Sequence, residues 1–168
     1  MGLRIMRNRK RVVFICAALV AGGSVPAYAQ TATADFSVQI TIEGECLVVA
    51  PEDMNFGTAG ILNTNIDTEV DLTVTCTSGL SYDIALDAGM GEGATAEDRY
   101  MTGDSGETVT YSLYQDAGRN VLWGPDPDDL SGTGTGDGVT HTVYGRVPPQ
   151  TTPPAGTYTD TVTVTVTY

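Results

Sequence analysis

Positive charge is scarce in this chain, which has 8 lysine and arginine residues against 21 aspartate and glutamate residues. The formal net charge is −13 at pH 7, and beyond residue 11 the only basic residues are Arg99, Arg119 and Arg146. A surface this acidic repels the phosphates of nucleic acids and anionic lipid headgroups. The composition therefore argues against a nucleic-acid partner and against insertion into a lipid membrane.

Residues that carry catalysis or bind metals are equally sparse. His141 is the single histidine, and no motif around a serine offers it a nucleophile. The acidic loop 126–129 with Asp137 lacks the spacing of an EF-hand, so we interpret it as a solvated loop, with calcium binding as the open alternative. The sequence predicts no catalytic residue, no metal and no cofactor, and hence no enzyme.

The chain also lacks an apolar run long enough to cross a membrane. Five basic residues up to residue 11 precede a short apolar stretch, 12–20, and the sequence Ala-Tyr-Ala at 27–29. This is the pattern of a secretory signal peptide, whereas a membrane span needs about 20 apolar residues. We predict a signal peptide over residues 1–29. The remaining three arginines and 21 acidic residues give the exported chain a formal charge of −18, for which a halophilic source is one explanation.

Cysteine is limited to three residues, and Cys16 lies in the predicted signal peptide. Cys46 and Cys76 remain as an even pair in an oxidising compartment, which predicts one disulfide. Their separation is too long for a zinc knuckle, and the single histidine has no partner cluster, so a metal pair is disfavoured.

Helical periodicity is missing beyond the signal peptide, and a two-residue period is present instead. At the C-terminus, residues 158–168 place Val162, Val164 and Val166 on one face and threonines on the other. Further predicted strands are 47–49, 69–76, 80–86, 108–114, 121–123 and 139–147, and the longest loops are 88–96 and 125–138. This pattern predicts an all-β, antiparallel sandwich of immunoglobulin type with about seven strands.

Two of the predicted strands lack an obvious partner. The strand over 158–168 has no later strand beside it, and the exported chain opens with an alternating segment that carries Phe36, Val38, Ile40 and Ile42 on one face. An exposed edge is a template for pairing with another chain, which a neighbour's N-terminal strand would fill. The alternative is that the first strand folds back into its own sheet.

The chain resembles the spore coat protein U domain family, whose members include the major subunits of archaic chaperone–usher pili. The resemblance rests on short motifs that occur in the same order as in the family, together with the paired cysteines. These motifs are residues 54–57, 72–79, 82–86, 99–101, 111–116, 123–124, 144–146, 156–162 and the terminal Tyr168.

The resemblance implies an incomplete pilin fold, in which residues 30–43 are a donor strand and residues 44–168 are the sandwich. Phe36, Val38, Ile40 and Ile42 would be the donor side chains. The acceptor groove, which also faces the chaperone, would include Tyr158, Val162, Val164, Val166 and Tyr168. Implied partners are other subunits, a periplasmic chaperone and an outer-membrane usher. The expected protein is a subunit of a surface pilus or coat, exported through the periplasm, that supports adhesion or biofilm formation.

A secreted monomer that binds carbohydrate or a surface is the alternative function. Trp123 and the tyrosines at 82, 100, 111, 114 and 144 would then form a sugar-binding face, although we expect them to pack in the core. We expect Arg99, Arg119 and Arg146 to anchor salt bridges, with Arg146 the most closely packed.

Overall fold

The computed structural model describes residues 28–49 and 51–168, and all regular structure within them is β-strand. Nine strands follow in chain order: β1 Cys46–Val49, β2 Ile66–Cys76, β3 Ser81–Leu86, β4 Arg99–Gly103, β5 Thr108–Tyr114, β6 Leu130–Thr133, β7 Gly138–Val147, β8 Tyr158–Thr159 and β9 Val164–Thr167. The chain divides into two compact units, Met1–Gln39 and Ile40–Tyr168, and these strands belong to the second. The predicted signal peptide lies outside the described residues except for its last two positions, and the predicted boundaries at 29/30 and 43/44 stay predictions.

Two antiparallel sheets form the sandwich. The larger sheet has the strand order β1-β2-β7-β5-β4-β8, and the smaller has the order β6-β3-β9. The longest ladder joins β2 to β7 from Ile66 opposite Val147 to Thr75 opposite Gly138. The predicted antiparallel all-β sandwich is therefore confirmed.

Alternation of apolar and polar residues explains which faces meet. Leu72, Val74 and Cys76 of β2 are buried, and the residues between them are more exposed. The same holds for Ile84 and Leu86 of β3 in the other sheet. Because side chains of a strand alternate between its two faces, one face of each sheet is apolar and the two faces pack together as the core.

The strand count differs from the sequence prediction for three reasons. Strands β4 and β6 were not predicted, since neither shows clear apolar alternation. The strand predicted over 121–123 is reduced to an isolated bridge between Tyr114 and Leu122. The prediction of one continuous strand over 158–168 is wrong, because β8 and β9 pair with different sheets and residues 160–163 between them form no strand.

A close approach at Gly145 of β7 lets the segment before β2 pack against the sheet. A Cβ atom at this position would lie 2.5 Å from Sδ of Met54 and 2.9 Å from Cζ of Phe56. The Phe56 ring also makes an edge-on contact with Tyr111, with ring centroids 6.1 Å apart. Glycine is therefore required here by space and not by backbone conformation.

The predicted disulfide is confirmed between Cys46 and Cys76, which lie directly opposite each other on β1 and β2. The two cysteines are 30 residues apart in the sequence. Closing a loop of this length stabilises the fold by roughly 3–4 kcal/mol in the chain-entropy model. The bond ties the edge strand β1 to the neighbouring strand β2 of the larger sheet.

Candidate functional site

The N-terminal segment exposes the four apolar side chains that the sequence singled out. Residues 28–45 form no strand. Phe36, Val38, Ile40 and Ile42 are 86%, 84%, 81% and 70% exposed. A row of large apolar side chains this exposed is unusual in a soluble monomer and is typical of a segment that binds a partner.

The C-terminal segment forms an edge in both sheets. Strand β8 pairs with β4 at the edge of the larger sheet, and β9 pairs with β3 at the edge of the smaller sheet. Val162, Val164 and Val166 are half-buried, whereas the threonines between them are exposed. The valines therefore point towards the core, as the sequence alternation predicted.

The backbone of this segment leaves one side available for pairing. The N–H of Asp87 donates to the carbonyl oxygen of Thr163 over 3.1 Å, so Thr163 directs its backbone groups towards β3. Because backbone groups alternate in direction along a strand, those of Val164 and Val166 in β9 point to the opposite edge. Among the described strands, none pairs with β9 along that edge. Val164 and Val166 thus offer both apolar side chains and backbone hydrogen-bonding groups at this edge.

Two carboxylates fix the crossover between the sheets at residues 160–163. Asp87 Oδ1 accepts hydrogen bonds from the N–H of Thr163 and the N–H of Gly89, each 2.9 Å long. Asp160 Oδ1 accepts from the N–H of Met90 at 2.7 Å, and Asp160 Oδ2 accepts from the hydroxyl of Tyr111 at 2.6 Å. These bonds hold the segment to the loop that follows β3 and to the larger sheet.

The environment shifts the pKa values of two of these groups. Partial burial alone would raise the pKa of Asp87, but the hydrogen bonds from Thr163 and Gly89 and the charge of Arg99 outweigh it, so the pKa is lowered. Burial and then the hydrogen bond to Asp160 raise the pKa of the Tyr111 hydroxyl. Asp87 is therefore ionised and Tyr111 is a neutral donor at neutral pH.

A fully buried arginine supports the same region. The Arg99 guanidinium donates to four backbone carbonyl oxygens, of Leu86, Asp87, Ala96 and Trp123, at 2.7–3.2 Å. Trp123 extends this network, because its indole N–H donates to the carbonyl oxygen of Ile84 over 2.8 Å. Arg99 is 0% exposed and hydrogen-bonds these carbonyls, not a carboxylate. Beyond the motif at 99–101, nothing in the sequence indicated this role.

The expectation that Arg146 is the most closely packed arginine is wrong. Arg146 lies on the outer face of β7, where its Nε is 2.7 Å from Oδ1 of Asp67. Arg119 Nε lies 3.4 Å from the same oxygen, and its guanidinium stands over the ring of Tyr144. Val143 and Val147 point into the core, so the alternation of side chains along the strand predicts that Arg146 points outwards. The sequence already contained this signal.

The residues considered for catalysis do not form a catalytic arrangement. His141 Nε2 lies 3.0 Å from the hydroxyl of Tyr82, an inter-sheet contact within the sandwich. Burial lowers the pKa of His141, so the ring is neutral at pH 7. In residues 28–49 and 51–168, no three His, Cys, Asp or Glu side chains cluster closely enough to hold a metal ion. The arrangement supports packing and not general acid–base chemistry.

The aromatic side chains divide between core and surface. Trp123, Tyr82 and Tyr111 are buried as expected. Tyr100, Tyr114 and Tyr144 are only half-buried. Two shallow pockets, one beside Asp160 and one beside Leu47, have no aromatic side chain in their linings. In the part of the chain that the structure describes, no helix is long and apolar enough to span a membrane.

Comparison with known proteins gives a consistent result. Residues 32–165 match the spore coat protein U domain. The chain is also similar to "Protein U" of Myxococcus xanthus, with 34% identity over 162 residues that cover 85% of this chain and 88% of the relative. The match to a spore coat domain confirms the prediction that the chain is not an enzyme.

A solved structure shares the fold. It is the crystal structure of the CsuC–CsuE chaperone–tip adhesion subunit pre-assembly complex from archaic chaperone–usher Csu pili of Acinetobacter baumannii. The match has a TM-score of 0.59 and 25% sequence identity, and covers 76% of this chain. The chain spans 40% of the length of the matched chain. The immunoglobulin-like character of the predicted sandwich is thereby confirmed.

Proposed function

Because the chain belongs to the spore coat protein U domain family, we propose that it is an exported structural subunit of a pilus or coat at the cell surface. It polymerises with copies of itself or with related subunits. The proposal rests on one observation above all: an exposed apolar N-terminal segment occurs in the same chain as a sandwich edge that no described strand covers. Adhesion or biofilm formation would be the role of the finished polymer.

Donor-strand complementation is the proposed mechanism of assembly. The segment 30–43 of one subunit pairs with the free edge of the next subunit, formed by 158–168. Phe36, Val38, Ile40 and Ile42 are the donor side chains. Tyr158, Val162, Val164, Val166 and Tyr168 line the acceptor. An extended strand added to a sheet edge gains main-chain hydrogen bonds, and its alternate side chains provide the specificity.

A periplasmic chaperone and an outer-membrane usher are the proposed assembly partners. The matched solved structure is a complex of a pilus subunit with its chaperone, and its resemblance to this chain supports a chaperone partner here. The chaperone would cover the free edge after export, and the usher would exchange it for the next subunit's segment. A signal peptide over residues 1–29 would bring the chain to the periplasm.

The energetics favour such an exchange without a cofactor. Each of four large apolar side chains contributes roughly 1.5–3 kcal/mol when it is fully buried. A row of backbone hydrogen bonds adds to this gain and fixes the register. Dissociation requires the withdrawal of a whole strand, so the polymer would be kinetically stable. This apolar contact must also outweigh the repulsion between subunits of formal charge −18, obtained from three arginines and 21 acidic residues.

The proposal is tested with two neighbouring substitutions in the exposed segment. Ile40→Asp places a charge among the donor side chains, and Gln39→Asp places the same charge on the other face of the segment. Ile40 is 81% exposed, so neither change should alter folding of the subunit. We expect SDS-resistant ladders from the exported wild type and from Gln39→Asp, and none from Ile40→Asp. Ladders of equal intensity from both variants would contradict strand donation.

A monomeric binding module is the second candidate function. The half-buried Tyr100, Tyr114 and Tyr144 are the only feature that favours it among the described residues, since carbohydrate sites use exposed aromatic faces. The two shallow pockets contain none of these rings. A wild-type chain that stays monomeric after export and binds an oligosaccharide array would support this candidate instead.

A further inference from the structure

The proposed donor and acceptor segments are free of charge along their central residues. Residues 36–42 carry no ionisable acid or base and are bounded by Asp35 and Glu43. Residues 161–167 carry none either and follow Asp160. The outward side chains of the donor are Ser37, Gln39 and Thr41, and those of the acceptor are threonines. Both faces of a joint between these segments would therefore be uncharged in a chain that is otherwise strongly acidic.

We propose one register for this joint between two copies of the chain. The donor segment runs antiparallel to the acceptor, so that each donor side chain faces an apolar acceptor side chain. The four pairs are Phe36 with Tyr168, Val38 with Val166, Ile40 with Val164 and Ile42 with Val162. The outward pairs are then Ser37 with Thr167, Gln39 with Thr165 and Thr41 with Thr163. This inference rests on the proposed function and specifies how the two copies meet.

Shifts of the register by two residues lose apolar contacts. A shift in one direction places Ile42 opposite Asp160, whose carboxylate already accepts hydrogen bonds from Tyr111 and Met90. A shift in the other direction places Gly44, which has no side chain, opposite Val162. A shift by one residue would turn every donor side chain away from the core. Among the antiparallel registers, only the proposed one gives all four donor side chains an apolar partner.

The antiparallel direction follows from the rest of the sheet. Every strand pair in the described sandwich is antiparallel. Antiparallel ladders are slightly more stable per residue than parallel ones. The antiparallel register also pairs Phe36 with Tyr168, and aromatic pairs directly across strands are stabilising. A parallel joint would instead pair Phe36 with Val162.

If the joint is uncharged, salt should change the rate at which copies associate but not the rate at which the joint dissociates. Two copies that approach each other repel over the Debye length, about 10 Å at 0.1 M salt and about 3 Å at 1 M. Added salt should therefore speed association. Once the joint has formed, its contacts are apolar or neutral, so salt should leave the rate of dissociation unchanged within about twofold.

Mixed-copy disulfide trapping tests the register. One exported chain carries Ser37→Cys, and the second carries a single cysteine in place of Thr167, Thr165 or Thr163, so any new bond joins two copies. Side chains directly opposite in an antiparallel pair have Cβ atoms about 4.5–5.5 Å apart, close enough for a disulfide after small adjustment. We expect Thr167→Cys to give the dominant cross-link.

The other outcomes overturn the inference in distinguishable ways. A dominant cross-link with Thr163→Cys would show a parallel joint, and one with Thr165→Cys would show a shifted register. Ladders without any cross-link would place the joint elsewhere. If the chains form no ladders at all, the proposed function fails, and the joint fails with it.

Charge substitutions test the neutral character of the joint independently. Copies with Gln39→Glu are mixed with copies that carry Thr165→Glu, and the control mixture uses Gln39→Lys with Thr165→Glu. We expect dissociation of the like-charged joint to be roughly 1.4–5-fold faster at low salt, and the oppositely charged control to dissociate no faster than wild type. Equal rates for both mixtures, or a wild-type dissociation rate that changes strongly with salt, would contradict the inference.

Discussion

Replacement of the buried Arg99 by methionine should be among the most damaging single changes in the sandwich. Methionine keeps the length of the side chain but removes the donors to the carbonyl oxygens of Leu86, Asp87, Ala96 and Trp123. A buried polar group left without its partner costs about 1–3 kcal/mol. The loss of the buried charge offsets part of this sum, and we expect a net destabilisation of roughly 3–5 kcal/mol.

The matched control is Arg146→Met on the outer face of the larger sheet. Arg146 and Asp67 form a pair whose side chains are 26% and 35% exposed. A pair this exposed contributes about 0–1 kcal/mol. The two variants remove the same chemical group, so the difference between their unfolding free energies measures the effect of the buried hydrogen bonds from Arg99 to the backbone carbonyls.

Urea unfolding is measured in exported chains that also carry Ile40→Asp, which are expected to fold without assembling. Trp123 is the only tryptophan of the chain, is fully buried and accepts a hydrogen bond from Arg99, so its fluorescence reports on this region. A loss of 3–5 kcal/mol corresponds to a fall in melting temperature of roughly 10–15 °C for a domain of this size. If Arg99→Met costs no more than Arg146→Met, the assigned role of Arg99 is wrong.

Three further predictions concern stability. Replacement of both Cys46 and Cys76 by alanine should cost roughly 3–4 kcal/mol in urea unfolding, and reductant should then have no further effect. The lowered pKa of His141 means that the folded state disfavours protonation of the ring. The free energy of unfolding should therefore fall as the pH drops below about 6.5. His141→Gln should reduce the loss of stability measured between pH 7.5 and pH 5. Gly145→Ala should lower the free energy of unfolding by about 1–3 kcal/mol, because no room exists for a Cβ atom. Gly60→Ala, whose Cβ atom would meet open space, should change the melting temperature little. Equal effects of the two substitutions would show that the close packing at Gly145 is not important.

The regular alternation in the sequence predicted the strands that are buried on one face. Strands β2 and β7 carry valine or leucine at several core-facing positions, and the predicted strands 69–76 and 139–147 lie within β2 and β7. Strand β6 has one large apolar residue, Leu130, within a run of glycine, aspartate and proline, so local propensity gave no strand signal. Its pairing with β3 is a tertiary effect.

In the C-terminal segment, the periodicity of the sequence was insufficient to predict the structure. The alternation of valine and threonine continues without a break from 161 to 167 and gives no hint that the segment changes sheets. The change is caused by Asp87 and Asp160, whose carboxylates take the place of a neighbouring strand at residues 160–163. Hydrogen bonds between side chain and distant backbone leave no periodic signal, and the same reason concealed the role of Arg99.

Strand donation is tested most directly by a comparison of the exported chain with a rearranged chain. The rearranged chain lacks residues 30–42 but carries a copy of residues 33–42 on a short linker after Tyr168, where a short connection permits an antiparallel pair. Thermal unfolding and SDS gels are measured for both. If strand donation is the mechanism, the exported chain forms heat-labile, SDS-resistant ladders and the rearranged chain is a monomer of higher melting temperature. A wild-type chain that is already a stable monomer, together with a rearranged chain that gains nothing, would contradict it.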